Sequence, residues 1–268
     1  MDEAAIRDMA KSRREAIREL DFFDSNVWLG RPAEFPLAKE LPAGELKATL
    51  DEYGISGALV SHWWAHRIAP QEGNAALHRF AQSMPKNVYV IDTGLPDYPD
   101  RETVPADGGA VPPGVRGIRI FPETHHFPLA AWCVGGLLRR LSEHRLPLFL
   151  WHVETDWTSL RTIAREFPDL KIVIETQTRK ILYHTRSLFP LMVDCPNVMV
   201  ELSNFAGPGF VEYVVDHFGP DRLIFGSFLP VNDPYVAMGM ILDADISESD
   251  KAAIAGGNLR RMIGEVVP

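Results

Sequence analysis

DFFDSNVWLG, residues 21–30, is the stretch on which the reading of the fold turns. It is short, carries Phe22, Phe23, Val27, Trp28 and Leu29, and stops at Gly30, so it reads as a buried strand rather than a helix. Seven runs of the same kind follow: GALVSHW (57–63), VYVIDTGL (88–95), VRGIRIF (115–121), PLFLWH (147–152), KIVIET (171–176), NVMVELS (197–203) and RLIFGSF (222–228). Most are rich in Val, Ile and Phe and too short for a helix.

Helical stretches separate them. AGELKATLDEYG stops at Gly54, and EGNAALHRFAQSMP ends before Pro85. AAWCVGGLLRRLSEHR, DWTSLRTIAREFP, RSLFPLMVDC and GFVEYVVDHFG complete the alternation. Strand and helix alternating in this way predict an α/β chain whose parallel sheet closes into a single (β/α)8 barrel over residues 20–268. Residues 3–19 predict an amphipathic N-terminal helix, with Ala5, Ile6, Met9, Ile17 and Leu20 giving a loosely helical apolar stripe, so residues 1–19 are expected to form a helical extension. The Pro-, Gly- and Asp-rich stretch 95–114 reads as a loop on the barrel face that holds active sites.

Composition excludes several classes. The net charge of −9 argues against a nucleic-acid partner, which calls for a basic face. No apolar run approaches a membrane span, and the N-terminus lacks the apolar core of a secretory signal. Cys133 and Cys195 form no C-x-x-C pair and fit buried thiols in a reducing cytoplasm. There is no G-x-S-x-G elbow, phosphate loop or dinucleotide fingerprint.

FDSNVWLG, GVRGIRIFP (114–122), RLPLFLWH (145–152), FPDLKIVIETQT (167–178), NVMVELSN (197–204), FGPDRLIFGSFLP (218–230) and GGNLRRMIG (256–264) occur in that order. Together they resemble the amidohydrolase superfamily, in its branch of decarboxylases and lactonases. The resemblance implies a TIM barrel of amidohydrolase type, a divalent metal and a homodimer, an oligomer form that is also common in general. It also implies five site positions: two first-strand histidines, a fifth-strand histidine, a sixth-strand histidine and an eighth-strand aspartate. Here these places hold Asn26, Trp28, His152, Thr176 and Phe228, so one survives. Indole and phenyl rings offer a metal no lone pair, and amide or hydroxyl oxygens are poor ligands for a transition metal. The ancestral metal site is therefore expected to be degenerate, with no cofactor.

The candidate site is built from what is left. His152 is a candidate acid or base at a strand tip, against the alternative of a histidine bonded to its neighbour. Glu201 is the candidate replacement base, or else the ion-pair partner of Arg119, which would also orient a substrate carboxylate. Asn26, Trp28, His62, Trp63, His125, Thr176 and Phe228 are candidate ligand contacts at the mouth, where aromatic area is unusually dense. The alternative for SHWWAH (61–66) is packing beneath the 95–114 loop. A relocated metal site from His125, His126 and His152 is a further reading, weakened because adjacent histidines in an extended loop point opposite ways. Glu175 and Gln177 are expected to face the outer helices.

Two main functions stand open at this point. One is a metal-independent hydrolase or lyase acting on a small organic acid, lactone or aromatic compound. The other is a non-catalytic ligand-binding or scaffold barrel. A pocket where His152 and Glu201 converge would favour the first, and a mouth plugged by Trp28 and Phe228 the second.

Overall fold

A computed structural model describes residues 3–81, 83–97, 111–176 and 181–267. All eight predicted strands are present: β1 Phe23–Leu29, β2 Gly57–His62, β3 Val88–Thr93, β4 Val115–Ile120, β5 Leu148–Trp151, β6 Ile172–Glu175, β7 Val198–Glu201 and β8 Leu223–Ile224. Their order in the sheet follows the chain, and each pairs in parallel with the next. The ring closes where Ser25 N donates to Phe225 O at 3.1 Å and Trp28 N donates to Leu229 O at 2.8 Å. The strands are buried on both faces, which is why they read as unbroken apolar runs.

The helices are α1 Glu3–Leu20, α2 Leu46–Tyr53, α3 Trp63–Arg67, α4 Pro70–Ala81, α5 Ala131–Glu143, α6 Trp157–Glu166, α7 Thr185–Asp194, α8 Phe210–Phe218, α9 Pro234–Leu242, α10 Glu248–Ala252 and α11 Asn258–Gly264. Several start at side-chain caps. Asp156 accepts from the Thr158 and Ser159 amides at 2.9 Å, and Asp233 accepts from the Tyr235 amide at 2.9 Å ahead of Pro234. The N-terminal helix buries Ile17 and Leu20, and its Arg13 pairs with Asp243. Three helices were not anticipated: α3, α9 and the short α10. The run SHWWAH does not continue as strand but turns into α3 at Trp63, where His62 Nδ1 accepts from the Trp64 amide at 3.2 Å. α9 follows the last strand.

The scaffold motifs have simple duties. Arg222, from the GPDR segment, donates to the carbonyls of Val198 (2.7 Å), Cys195 (2.9 Å) and Met192 (3.1 Å). Asn258, at the start of the closing helix, donates to the carbonyls of Pro220 and Leu223. Both donate to buried carbonyls where strands meet helices. Of the 95–114 loop, residues 98–110 lie outside the described residues, as does Gln177. Among the described residues no helix is long and apolar enough to cross a membrane.

Candidate functional site

The barrel interior is stacked in three tiers. Phe23, Leu59, Ile91, Phe149, Val173, Met199 and Ile224 form the lowest tier, closed from below by Leu259, Met262 and Ile263 near the C-terminus. Residues on one face of a strand recur every second position, so the next tier sits two residues further on. It brings Ser61, Arg119, Glu175 and Glu201 inside. The top tier is a cluster of Trp28, Trp63, Phe121, Trp151 and Phe228.

β1 reaches the upper tiers through a bulge. Its register against β2 shifts between Asp24 and Val27, which puts Asn26 and Trp28 on the interior side. Asp24 holds the bulge: its Oδ1 accepts from the amides of Asn26 and Ser227, both at 2.9 Å. Complete burial pushes the Asp24 carboxyl up to about 6, against the lowering effect of these bonds.

Arg119 lies at the centre of the polar tier. Its Nε donates to Glu175 Oε2 at 2.8 Å, its Nη2 to the other oxygen of Glu175, and its Nη1 to Ser61 Oγ. The guanidinium also lies over the Trp28 ring, 4.6 Å from the centroid, and reaches Asn26 Oδ1 at 3.5 Å. Neither Arg119 nor Glu175 has measurable exposure. Two expectations are corrected here. Glu175 faces inward, because it shares the face of Val173, and the partner of Arg119 is Glu175 rather than Glu201.

Glu201 is also completely buried, and its carboxyl is pushed up to about 8 by burial first and the Glu175 charge second. It accepts from Ser203 N (2.8 Å), Ser203 Oγ (2.9 Å) and Thr176 N (3.2 Å). Gly226 packs directly on it, and a Cβ there would overlap the carboxyl group. Thr176 donates its hydroxyl to Glu201 O at 3.0 Å and accepts from Asn204 N at 2.9 Å, so it ties β6 to β7. His152 Nδ1 lies 3.3 Å from the Glu175 carbonyl, and its ring faces His184 at 5.4 Å. His152 and Glu201 share no hydrogen bond among the described residues, and each is anchored to its own surroundings.

The mouth is filled. Trp28 stacks on Trp63 at 4.5 Å and meets Trp151 edge-on at 5.7 Å, while Phe228 lies within 6.5 Å of all three indoles. Phe35, from the segment after β1, adds a lid against Trp63 and Phe228. Trp28 has no exposed surface and Phe228 has 1%, and among the described residues these rings pack on one another. Phe228 adopts a φ of 61°, in the left-handed region that disfavours a side chain with a Cβ. His62 caps α3 and abuts Gly30, and burial lowers its basicity.

A polar cluster missed in the sequence borders the rings. His66 Nδ1 contacts Glu34 at 2.9 Å and its Nε2 lies 3.8 Å from Glu154, which accepts the Thr124 hydroxyl at 2.7 Å. Burial alone would depress the His66 imidazole, but bonds to Glu154 and Glu34 and their charges raise it above its ordinary value. Glu34 opposes burial through His66 and Arg67 and is held down to about 2. The imidazole sits between Phe121 (4.5 Å) and Trp151 (4.6 Å). The only hint in the sequence was His66 itself, since Glu34 and Glu154 come from loops far away along the chain.

The donor set does not suit a metal. Asn26 is engaged with Trp28 Nε1 at 2.8 Å, and Trp28 and Phe228 fill the space with rings that have no lone pair to give. His125 Nε2 lies 2.8 Å from the His66 carbonyl, while His126 is exposed and set at a φ of 56°. The relocated histidine site is therefore not assembled. Among the described residues no group of three His, Cys, Asp or Glu side chains is placed to hold a metal ion.

Comparison with known proteins agrees with the architecture. Amidohydrolase 2 from Bifidobacterium longum subsp. infantis superposes with a TM-score of 0.66 at 17% identity, over 91% of this chain and 98% of that one. A putative 2-pyrone-4,6-dicarboxylic acid hydrolase from Pseudomonas putida gives 0.65 at 17%, over 93% and 99%. A 2,6-dihydroxybenzoate decarboxylase from Rhizobium gives 0.67 at 12%, over 91% and 98%. No curated protein matches the chain. The amidohydrolase family model matches residues 25–264, nearly the whole barrel, and the chain therefore belongs to the amidohydrolase family.

Proposed function

We propose that this chain is a non-catalytic member of its family, a barrel that binds a small organic ligand without turning it over. The observation that carries this reading is the mouth itself. Trp28, Trp63, Trp151 and Phe228 pack into one another where a substrate would have to enter. Beneath them Arg119 is satisfied internally by Glu175 and Ser61, which leaves it no free fork for a substrate carboxylate. Fold alone does not argue for activity, because chemistry resides in the site. The test is a panel of lactones, amides and aromatic carboxylates, assayed with and without added zinc or manganese. No turnover above the uncatalysed rate is expected, and a single confirmed substrate would overturn the proposal.

One observation favours a second reading. Glu201, pushed up to about 8, holds its proton at neutral pH, as a general acid must. A metal-independent hydrolase or lyase for a small organic acid, lactone or aromatic compound would use it together with His152. The pyrone-acid and dihydroxybenzoate activities named for similar structures support that substrate class. The rings above Glu201 would have to part during turnover. On this reading His152→Ala costs at least about tenfold in turnover.

A further inference from the structure

A groove of about 720 Å³ lies beside the mouth of the barrel, on the far side of Phe35 and Val231 from the ring cluster. Its walls are the segment after β1, the outer side of α2 and the segment from Leu229 to Asp233. The volume falls within the range of small-molecule sites, roughly 300–1,000 Å³. Phe35, Tyr53, Leu229 and Val231 give it an apolar floor. Its charge is one-sided: Glu34, Glu40, Glu45, Glu52 and Asp233 line it, with Lys39 as their counterweight.

These carboxylates differ in how far they are committed. Glu34 is taken up by His66 and Arg67. Asp233 caps α9 with one oxygen. Among the described residues, Glu40, Glu45 and Glu52 form no ion pair, and all three are exposed. The field they create reaches the floor, for the Tyr53 hydroxyl is pushed up by burial and then by the charges of Asp233 and Glu52. An anionic ligand entering here would meet like charge, whereas a cation gains Coulomb attraction at the rim and a ring face at the floor.

We propose that this groove binds a small organic cation, an ammonium group carried on an apolar or aromatic body. The body rests on Phe35, Tyr53, Leu229 and Val231, and the ammonium lies against Glu52, Asp233 and their neighbours. The groove borders the mouth, with which it shares Glu34, Phe35, Leu229 and Val231, while Glu40, Glu45 and Glu52 take no part in the ring cluster.

The test is a calorimetric and amide-NMR titration of the full chain with phenethylamine. Phenethyl alcohol and phenylacetate serve as neutral and anionic counterparts. Phenethylamine is expected to saturate with a Kd below about 1 mM at low salt. It should bind at least about tenfold more tightly than the alcohol, with shifts confined to residues 34–53 and 229–235. Binding should weaken several-fold when salt is raised to about 0.5 M, because exposed charges are screened. Phenylacetate should not bind there. The triple variant E40Q/E45Q/E52Q should lose at least about tenfold in affinity at an unchanged melting temperature. The proposal is overturned if the alcohol binds as well as the amine, if the variant binds unchanged, or if no shift appears in the groove at about 10 mM. Should the variant fail to fold, the comparison of amine with alcohol and its salt dependence on the wild-type chain still decides.

Discussion

Replacing Glu201 with glutamine separates a buried, protonated carboxyl from an ordinary one. In the folded chain this carboxyl is pushed up from 4.5 to about 8. Between those two values the folded state holds a proton that the unfolded state has released. Stability therefore falls as pH rises through the window, by about 1.4 kcal/mol per pH unit, and levels off above the folded pKa. The amide of the Glu201→Gln variant cannot titrate. It also cannot copy the acid fully, since its nitrogen would face the Thr176 amide, which now donates to Glu201 at 3.2 Å. That mismatch costs about 1–3 kcal/mol, but it costs the same at every pH. The informative quantity is the slope of the difference between the two proteins. Urea unfolding at about pH 5.5 and about pH 7.5 should show the glutamine variant gaining about 3 kcal/mol relative to wild type. The Asp24 carboxyl, raised to about 6, contributes equally to both proteins and cancels. Parallel stability profiles would refute the reasoning, because they would mean that Glu201 is ionised in the fold.

Three further outcomes follow from the same tiers. Glu175→Gln strands the buried Arg119 guanidinium and should destabilise by about 3–5 kcal/mol in urea unfolding, whereas R119M/E175L should recover much of that loss. Trp28→Ala should cost about 3–5 kcal/mol and leave a cavity that takes up benzene, detected as a rise in melting temperature; a loss under about 1 kcal/mol would mean that the plug is not packed as described. The His66 imidazole should titrate above 6.5 by NMR, so that the stability it contributes is complete below 6.5 and is lost as pH rises through its folded pKa. Glu34→Gln should lower that pKa.

Much of the barrel was legible because fully buried parallel strands must be apolar on both faces. Runs such as KIVIET and NVMVELS can hardly be anything else in so regular an alternation with helices. Orientation was harder. Taking Thr176 as the inward residue sent Glu175 outward, and only the ring of Phe149, Val173 and Met199 fixes the opposite parity. α3 escaped because SHWWAH has no Gly or Pro to mark the end of β2, and the cap that starts the helix is His62. The loss of metal-binding residue types at the mouth could be read directly from Trp28 and Phe228. Whether their rings line a pocket or fill it could not, since that depends on side chains from five different segments meeting within 6.5 Å. The His66 cluster is likewise a product of folding, joining helix α3 to the loops that follow β1 and β5.

Elemental analysis of protein purified without chelator and without added metal tests the central claim most directly. A mouth filled by Trp28 and Phe228, with no trio of ligands assembled among the described residues, predicts far less than one equivalent of zinc, manganese or iron per chain. About one equivalent of any of them, released by a chelator with loss of thermal stability, would contradict the account.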